Sequence, residues 1–520
     1  MNLLERLLER VAEIPDATAI IAPNGERVSF ADLEQRSARL AALLRERGVG
    51  RGDAVLVLVP ISTELYVTLA AVFRLGAVVM ILDPAAGLAH IARCCELNPP
   101  KALVGVPLAH LLSFISPSLR RIPLRLCAKG WFPATIAFSA ATHLEGRADL
   151  EPLSPDAPAL LTFTSGTSGT PKAALRSHGL LLAQLSALET LLESQPHDVD
   201  LATLPIVALA NLATGVTTAI PSVSLRRPGK LETAPILAQI VAQRITRTAA
   251  SPALLERLAD AALAHQLILP GLTRIFSGGG PVFPRVLEKL ARVAPNARII
   301  SVYGSTEAEP IAHIAFNELQ PGDLEAMRGG RGLLVGAPVP EIELRIVPNS
   351  SGQRLTFSSR AELDASSLAP ELIGEIVVTG PHVLPGYLHG RGDEETKFRV
   401  SEQVWHRTGD AGYLDAHGRL WLSGRADARI RDARGELYPF SVECAATEFP
   451  GVRHSALLQH RDQRLLCVEW TPGATGDESK LLERLRWAQV DAVRSVPSLP
   501  MDARHNAKVN LKRLRGMLER

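Results

Sequence analysis

Thr162-Phe163-Thr164-Ser165-Gly166-Thr167-Ser168-Gly169-Thr170-Pro171-Lys172 is the stretch on which the reading of this chain turns. Hydroxyl side chains alternate with two glycines, and a single lysine closes the run. The apolar Ala159-Leu160-Leu161 before it predicts the end of a buried strand, so a loop is expected to leave the sheet edge here. Glycines let a backbone turn tightly and approach an anion, to which N–H groups and hydroxyls then donate. The lysine adds a point charge suited to phosphate oxygens. This is the composition of a polyphosphate cradle, but not of a Walker loop. That motif needs Gly directly before Lys and Ser or Thr directly after it, where this chain has Pro171 and Ala173. A flexible surface loop has the same composition, so the rest of the chain must decide.

At 520 residues the chain is too long for one core and is expected to hold two or three domains. Hydrophobic residues make up 46% and charged ones 21%, which excludes wholesale disorder. Lysine and arginine number 56 against 54 acidic residues, so nothing speaks for nucleic acid as a partner. Cys94, Cys95, Cys127, Cys444 and Cys467 form no Cys-x-x-Cys pair and no zinc-ligand spacing. An odd number of thiols fits a reducing compartment. The first ten residues alternate charge with leucine and lack the apolar run of a signal peptide. No window reaches the ~18 apolar residues of a membrane span. The expectation is a cytoplasmic protein with no transmembrane segment.

Residues 1 to about 150 alternate helix and strand patterns. Leu33 to Arg47 has helical spacing and stops at Gly48, and Ala54 to Val59 is a wholly apolar run of the kind covered on both faces. A helix over Thr63 to Leu75 and a strand over Ala77 to Leu82 follow. Hydrophobic strands alternating with helices predict a parallel sheet and an α/β fold. Beyond the cradle, Leu180 to Leu192 predicts a long helix, and a second α/β unit is expected over roughly 200 to 320, with Ala297 to Val302 as a strand. Residues 330 to 425 read as a smaller β subdomain, with strands at Ile342 to Ile346 and Gly374 to Thr379. From about Arg425 a compact αβ module restarts. The expected architecture is a large N-terminal domain of stacked α/β sheets plus the β subdomain over residues 1–425, then a small C-terminal αβ domain over 426–520.

Three further stretches bear on the cradle. Ser277-Gly278-Gly279-Gly280-Pro281 would let a flat ring lie against backbone, although a strand-ending turn has the same look. Tyr303-Gly304-Ser305-Thr306-Glu307 offers a tyrosine face for a base, two hydroxyls and a carboxylate. A carboxylate beside a polyphosphate makes sense when a divalent cation sits between them; otherwise Glu307 is an exposed loop acid. In Trp405-His406-Arg407-Thr408-Gly409-Asp410, an aspartate after a glycine turn at a strand end could accept from both ribose hydroxyls, or simply make an Asx turn.

In their order and spacing, these stretches resemble the AMP-forming adenylate superfamily of acyl-CoA synthetases, peptide-synthetase adenylation domains and luciferases, over essentially the whole chain. The resemblance implies an ATP site with magnesium. Thr164, Ser165, Gly166, Thr167, Ser168, Gly169 and Lys172 match the phosphate loop, with Ala173 where glycine is usual. Gly279, Gly280 and Pro281 match the adenine-contacting turn. Tyr303, Gly304, Ser305, Thr306 and Glu307 match the loop for adenine, the α-phosphate (Thr306) and magnesium (Glu307). Asp410 matches the ribose-binding acid, Arg425 a second ribose contact and Asp427 the hinge that makes the C-terminal domain mobile. Lys508, in Asn506-Ala507-Lys508, falls where the family carries its catalytic lysine.

A finer resemblance, to olefin-biosynthesis β-lactone synthetases, rests on Asp83-Pro84-Ala85-Ala86-Gly87 followed by Cys94, on Leu204 to Leu209, on Ser251-Pro252-Ala253-Leu254 and on Asp502 to Lys508. Common acyl-CoA synthetases carry an aromatic residue and a histidine after the proline at 205, which this chain lacks. Leu204, Pro205, Val207, Leu209 and Val216 are apolar candidates for lining an acyl pocket, and no acid near 205–215 could hold an α-ammonium group. His178 is a candidate for placing a substrate hydroxyl or carboxylate, with the opening of a helix as its alternative role.

The chemistry implied is attack of a hydrophobic acid's carboxylate on the α-phosphorus of ATP. Both partners are anions, so positive charge and positioning must lower the barrier. Three nucleophiles could then take the acyl group: the substrate's own β-hydroxyl, giving a β-lactone; the thiol of CoA or a carrier protein; or an amine. Partner enzymes of a hydrocarbon or natural-product pathway belong to the resemblance alone, and no residue specifies an oligomeric state. A non-catalytic nucleotide binder is disfavoured because both Glu307 and Lys508 are present.

Overall fold

The computed structural model describes residues 2–519 apart from 84–85, 147–148, 166–170, 226–230, 351, 475 and 502–508. Gly166, Thr167, Ser168, Gly169 and Lys508 therefore lie outside the described residues, as does the whole Asp502–Lys508 string. The fold is α/β. The chain divides into two compact units: Met1–Ser224 with Ala238–Ala249 and Pro381–Asp393, and Leu225–Leu237 with Ala250–Gly380 and Glu394–Arg520. This division does not follow the boundary expected at Asp427.

In the first unit, seven strands form one sheet in the order Ile136–Ala137, Leu124–Cys127, Ala102–Gly105, Ala54–Leu58, Val78–Ile81, Pro158–Ser165, Pro171–Ser177. All pairings are parallel except the last, which is antiparallel. The unbroken apolar runs become strands because helices cover both faces. Leu56, Met80, Leu103 and Leu161 sit in one buried cluster with Ile91 and Cys94 of a neighbouring helix. The Phe30–Glu46 helix is started by a Ser29–Asp32 capping box. The expected loop at Thr162 is instead strand, which runs on to Ser165. Thr164 pairs with Lys172 and Ser165 with Pro171. A run of β-branched threonines favours extension, and Pro171 is tolerated as the first residue of an outer strand.

In the second unit the strand order is Glu343–Val347, Gly374–Thr379, Gln403–Leu414, Leu420–Arg425, Leu333–Pro338, Ala308–Ala315, Arg298–Ser305, Arg274–Ser277. The expected β subdomain is thus continuous with the preceding strands, through the pairing of Ala312 with Pro338. After Asp427 come a three-stranded sheet (Val452–His460, Gln463–Trp470, Ala492–Ser495) and helices with their own cores around Val442, Leu457 and Leu481 and around Leu458 and Leu514. Arg285, at the start of the Pro284–Val293 helix, donates to the carbonyls of Thr447 at 3.0 Å, Val452 at 2.8 Å and Arg453 at 2.9 Å, tying this module in place.

Candidate active site

The expected site residues fall in both units. In the second unit, the side chains of Tyr303 and Arg425 meet at Asp410. Tyr303 Oη donates to Asp410 Oδ2 at 2.8 Å, and Arg425 Nη1 donates to Oδ1 at 2.9 Å. Burial pushes the Tyr303 phenol well above its ordinary range, and the Asp410 charge adds to the shift. Tyr303 is thus a fixed neutral donor. A carboxylate offers about four lone-pair directions, so Asp410 keeps capacity for two further donors, such as a vicinal diol.

Asp410 does not end a strand as expected. It lies within the long Gln403–Leu414 strand and pairs with Arg425 of the next one. Gly409 makes this possible. It has φ +68°, and a Cβ there would lie 2.6 Å from Arg425 Nη2. Thr408 Oγ1 accepts from the Asp410 N–H at 3.0 Å and donates to the Ile376 carbonyl at 2.9 Å. Arg407 clamps the buried Glu375 through bonds of 3.0 and 2.6 Å. The sequence motif contains these neighbours of Asp410 but assigns them no role.

Tyr303, Gly304 and Ser305 complete the Arg298–Ser305 strand, with Thr306 and Glu307 in the turn after it. Ser305 Oγ accepts from the Glu307 N–H at 3.3 Å. Buried His406 has no distinguishing signal in the sequence. Burial pushes its pKa down to about 3, Lys397 pushes the same way, and the Glu307 carboxylate pushes back. Its neutral ring therefore uses Nδ1–H toward the Thr396 carbonyl, at 3.1 Å. Gly279, Gly280 and Pro281 follow the Arg274–Ser277 strand, with Gly279 at φ +77°. The Ser277 hydroxyl beside them is buried and has no partner among the described residues. Asp427 sits in the short Ala426–Ala428 turn of helix after Arg425.

Among the described residues no group of three or more His, Cys, Asp or Glu forms a metal cage. A single carboxylate such as that of Glu307 suits magnesium, which is commonly bound by one or two carboxylates together with substrate phosphates.

In the first unit, the hairpin places Thr164 and Ser165 opposite Lys172 and Pro171. The Lys172 ammonium lies 5.7 Å over the Tyr387 ring. Sequence reasoning misses Tyr387; its only signal is a rare tyrosine following Gly386. Leu204 caps the Pro205–Thr214 helix, on which Pro205 is exposed, Leu209 half-buried and Val207 buried. Beneath that helix Arg247 donates to Asp200 at 2.6 Å, to Ser194 Oγ at 2.9 Å and to Asn211 Oδ1. His178 lies in the core. Its Nδ1 accepts from the Leu3 N–H at 3.0 Å, and burial, aided by the N-terminal charge, pushes its pKa down to about 4. His178 is the first residue of the His178–Leu192 helix, but the helix is capped by Ser177, whose hydroxyl accepts from the Leu180 N–H at 3.2 Å.

A family model described as AMP-binding enzyme matches residues 7–388. The chain belongs to that family, and with it is an adenylate-forming enzyme of the ligase and synthetase kind. It is 32% identical to an olefin beta-lactone synthetase of Stenotrophomonas maltophilia, over 99% of this chain and 97% of that one. It is 30% identical to an indoleacetate–CoA ligase of Aromatoleum aromaticum, over 89% of this chain and 86% of that one. The solved ATP-bound MatB from Rhodopseudomonas palustris shares the fold, with a TM-score of 0.81 at 23% identity over 100% and 99% of the two chains.

Proposed function

We propose that the protein activates a fatty or β-hydroxy fatty acid with ATP and then closes a β-lactone. The observation that carries the nucleotide half is the Asp410 carboxylate, held by Tyr303 and Arg425 with lone pairs to spare. A substrate carboxylate oxygen attacks the α-phosphorus, the bond to the β-phosphate breaks, and pyrophosphate leaves. Asp410 and Arg425 hold the ribose, while Tyr303 and Gly279 to Pro281 flank the base. Residues 164–172 neutralise the departing phosphates, with Thr306 on the α-phosphate. Glu307 would hold magnesium, which supplies positive charge against the phosphate oxygens. Lys508, brought in by rotation about Asp427, joins the two anions. The domain division at 425–426 belongs to this reading.

In the second step the β-hydroxyl oxygen attacks the acyl carbon, its proton is lost and AMP leaves. The similarity to an olefin beta-lactone synthetase supports this step. The similarity to a CoA ligase supports a second reading, in which the thiol of CoA or a carrier protein takes the acyl group. Leu204, Pro205 and Leu209 contribute apolar surface for the chain of the acid. Five buried, unpaired cysteines accord with a cytoplasmic setting.

ATP–pyrophosphate exchange across fatty, β-hydroxy and amino acids tests the first step. Exchange is expected with the first two, and Lys508→Ala is expected to abolish it while the fold is kept. Undiminished exchange in that variant refutes the assignment of the lysine. For the second step, a syn-2-alkyl-3-hydroxy acid with ATP and no CoA should give lactone. Acyl-AMP that waits for CoA and then gives thioester would defeat the lactone reading.

A further inference from the structure

One surface of the first unit is not used by adenylate chemistry. The Pro107–Ile115 helix has no charged residue, and Leu108, Leu111, Phe114 and Ile115 are 57, 52, 63 and 65% exposed. Leu108, Leu111 and Ile115 share a helix face, with Phe114 beside Leu111. Ala109, His110 and Ser113 are the buried side. Phe132 stacks on His110 at 5.7 Å and lies 6.0 Å from Phe114, which brings its neighbour Trp131, 68% exposed, to the same place. Five of the eleven exposed large hydrophobics among the described residues thus gather in one patch, a density that marks an interaction surface.

Charge along the stretch of chain that carries the patch has one sign. Between Glu96 and Glu145 the chain has no acidic residue but has Lys101, Arg120, Arg121, Arg125 and Lys129. Lys101 is paired with Asp53, and Arg125 donates to the carbonyls of Ile122 and Arg120. Arg120 and Arg121 are exposed just beyond the helix, and Lys129 is exposed just before Trp131. An apolar face with an aromatic at its edge and exposed cations adjoining it along the chain complements a phospholipid surface. A second copy of the chain would set these cations against their own like.

We propose that this face seats on an anionic lipid surface. Leu108, Leu111, Phe114, Ile115 and Trp131 enter the headgroup–acyl boundary, while Arg120, Arg121 and Lys129 meet phosphates. No described helix is long and apolar enough to cross a membrane, so the attachment is peripheral. Attachment through this face is independent of the identity of the acid substrate.

The test is flotation of the full chain with phosphatidylcholine vesicles and with mixed phosphatidylcholine–phosphatidylglycerol vesicles, at low and high salt. Binding to the mixed vesicles is expected, with quenching of Trp131 by brominated lipid. The Leu111→Glu/Phe114→Glu pair should weaken it by at least roughly tenfold, and Arg120→Glu/Arg121→Glu should weaken it and flatten its salt dependence. Both pairs are exposed and should keep the melting temperature and pyrophosphate exchange. Wild-type protein that fails to float, or that floats equally with neutral vesicles, overturns the proposal. So does a wild-type oligomer that Phe114→Glu turns into monomer without any vesicle binding, because the face then belongs to a second copy.

Discussion

Arg247 and Arg425 each hold an aspartate, and the two pairs differ chiefly in exposure. Arg247 and Asp200 are both fully buried, 2.6 Å apart, with three further donors of the guanidinium engaged by Ser194, Asn211 and the Leu192 carbonyl. Arg425 and Asp410 are 2.9 Å apart, with side chains 51 and 22% exposed. Charges removed from water must find partners inside the protein, so the first pair is enclosed, with Asp200 Oδ1 alone lacking a hydrogen-bond partner among the described residues, and it serves the fold. The second keeps water and spare lone pairs, so a ligand can join at little cost. The same two residue types thus make an anchor in one unit and a receptor in the other.

Breaking the anchor should have the largest effect. Arg247→Ala strands a buried Asp200 carboxylate and is expected to cost about 3–5 kcal/mol in urea unfolding. A loss under about 1 kcal/mol would show that the pair is no anchor.

Glu443 sharpens the contrast as a half-buried acid that accepts from the Leu457 N–H at 2.9 Å; desolvation pushes it up to about 7 from 4.5. The folded state keeps this proton where the unfolded state has lost it, so stability falls as pH rises from about 4.5 to about 7. Glu443→Gln should remove that slope and stabilise the protein at pH 8 by about 3 kcal/mol, with little gain near pH 4.5. Parallel pH profiles for variant and parent would sink this.

On the receptor side, Asp410→Ala should leave melting nearly unchanged yet lower kcat/KM for ATP on the order of a hundredfold, since two hydrogen bonds to a charged group are lost. Tyr303→Phe, which removes one positioning donor, should cost about 1 kcal/mol, or roughly fivefold in the same measurement. A Tyr303→Phe effect as large as that of Asp410→Ala would mean that the phenol, not the carboxylate, is the principal contact.

The α/β class and the family are legible in the sequence because hydrophobic runs and glycine-rich strings are local signals. The strands Val78–Ile81 and Gly374–Thr379 lie at or near their expected limits because an apolar run ends where a strand leaves the core. The threonine-rich stretch reads as loop because its extension depends on Pro171–Ser177, a partner the local pattern does not name. The Tyr303–Asp410 bond joins residues 107 apart and depends on strand register, which no motif carries. Tyr387 beneath Lys172 is illegible for the same reason. His178 has two readings in the sequence, and its partner in the structure, the Leu3 N–H, belongs to neither and lies too far off in sequence to be read locally.

Arg285 gathers three carbonyls of the C-terminal module onto one guanidinium. Rotation about Asp427 would have to surrender all three together, since they converge on a single side chain. At about 1 kcal/mol net for each bond, these three alone contribute about 3 kcal/mol to docking, to which the Arg328–Glu448 ion pair and the Arg285 N–H bond to Glu448 add. A nucleotide that drove the proposed rotation would have to favour the rotated state by more than that margin.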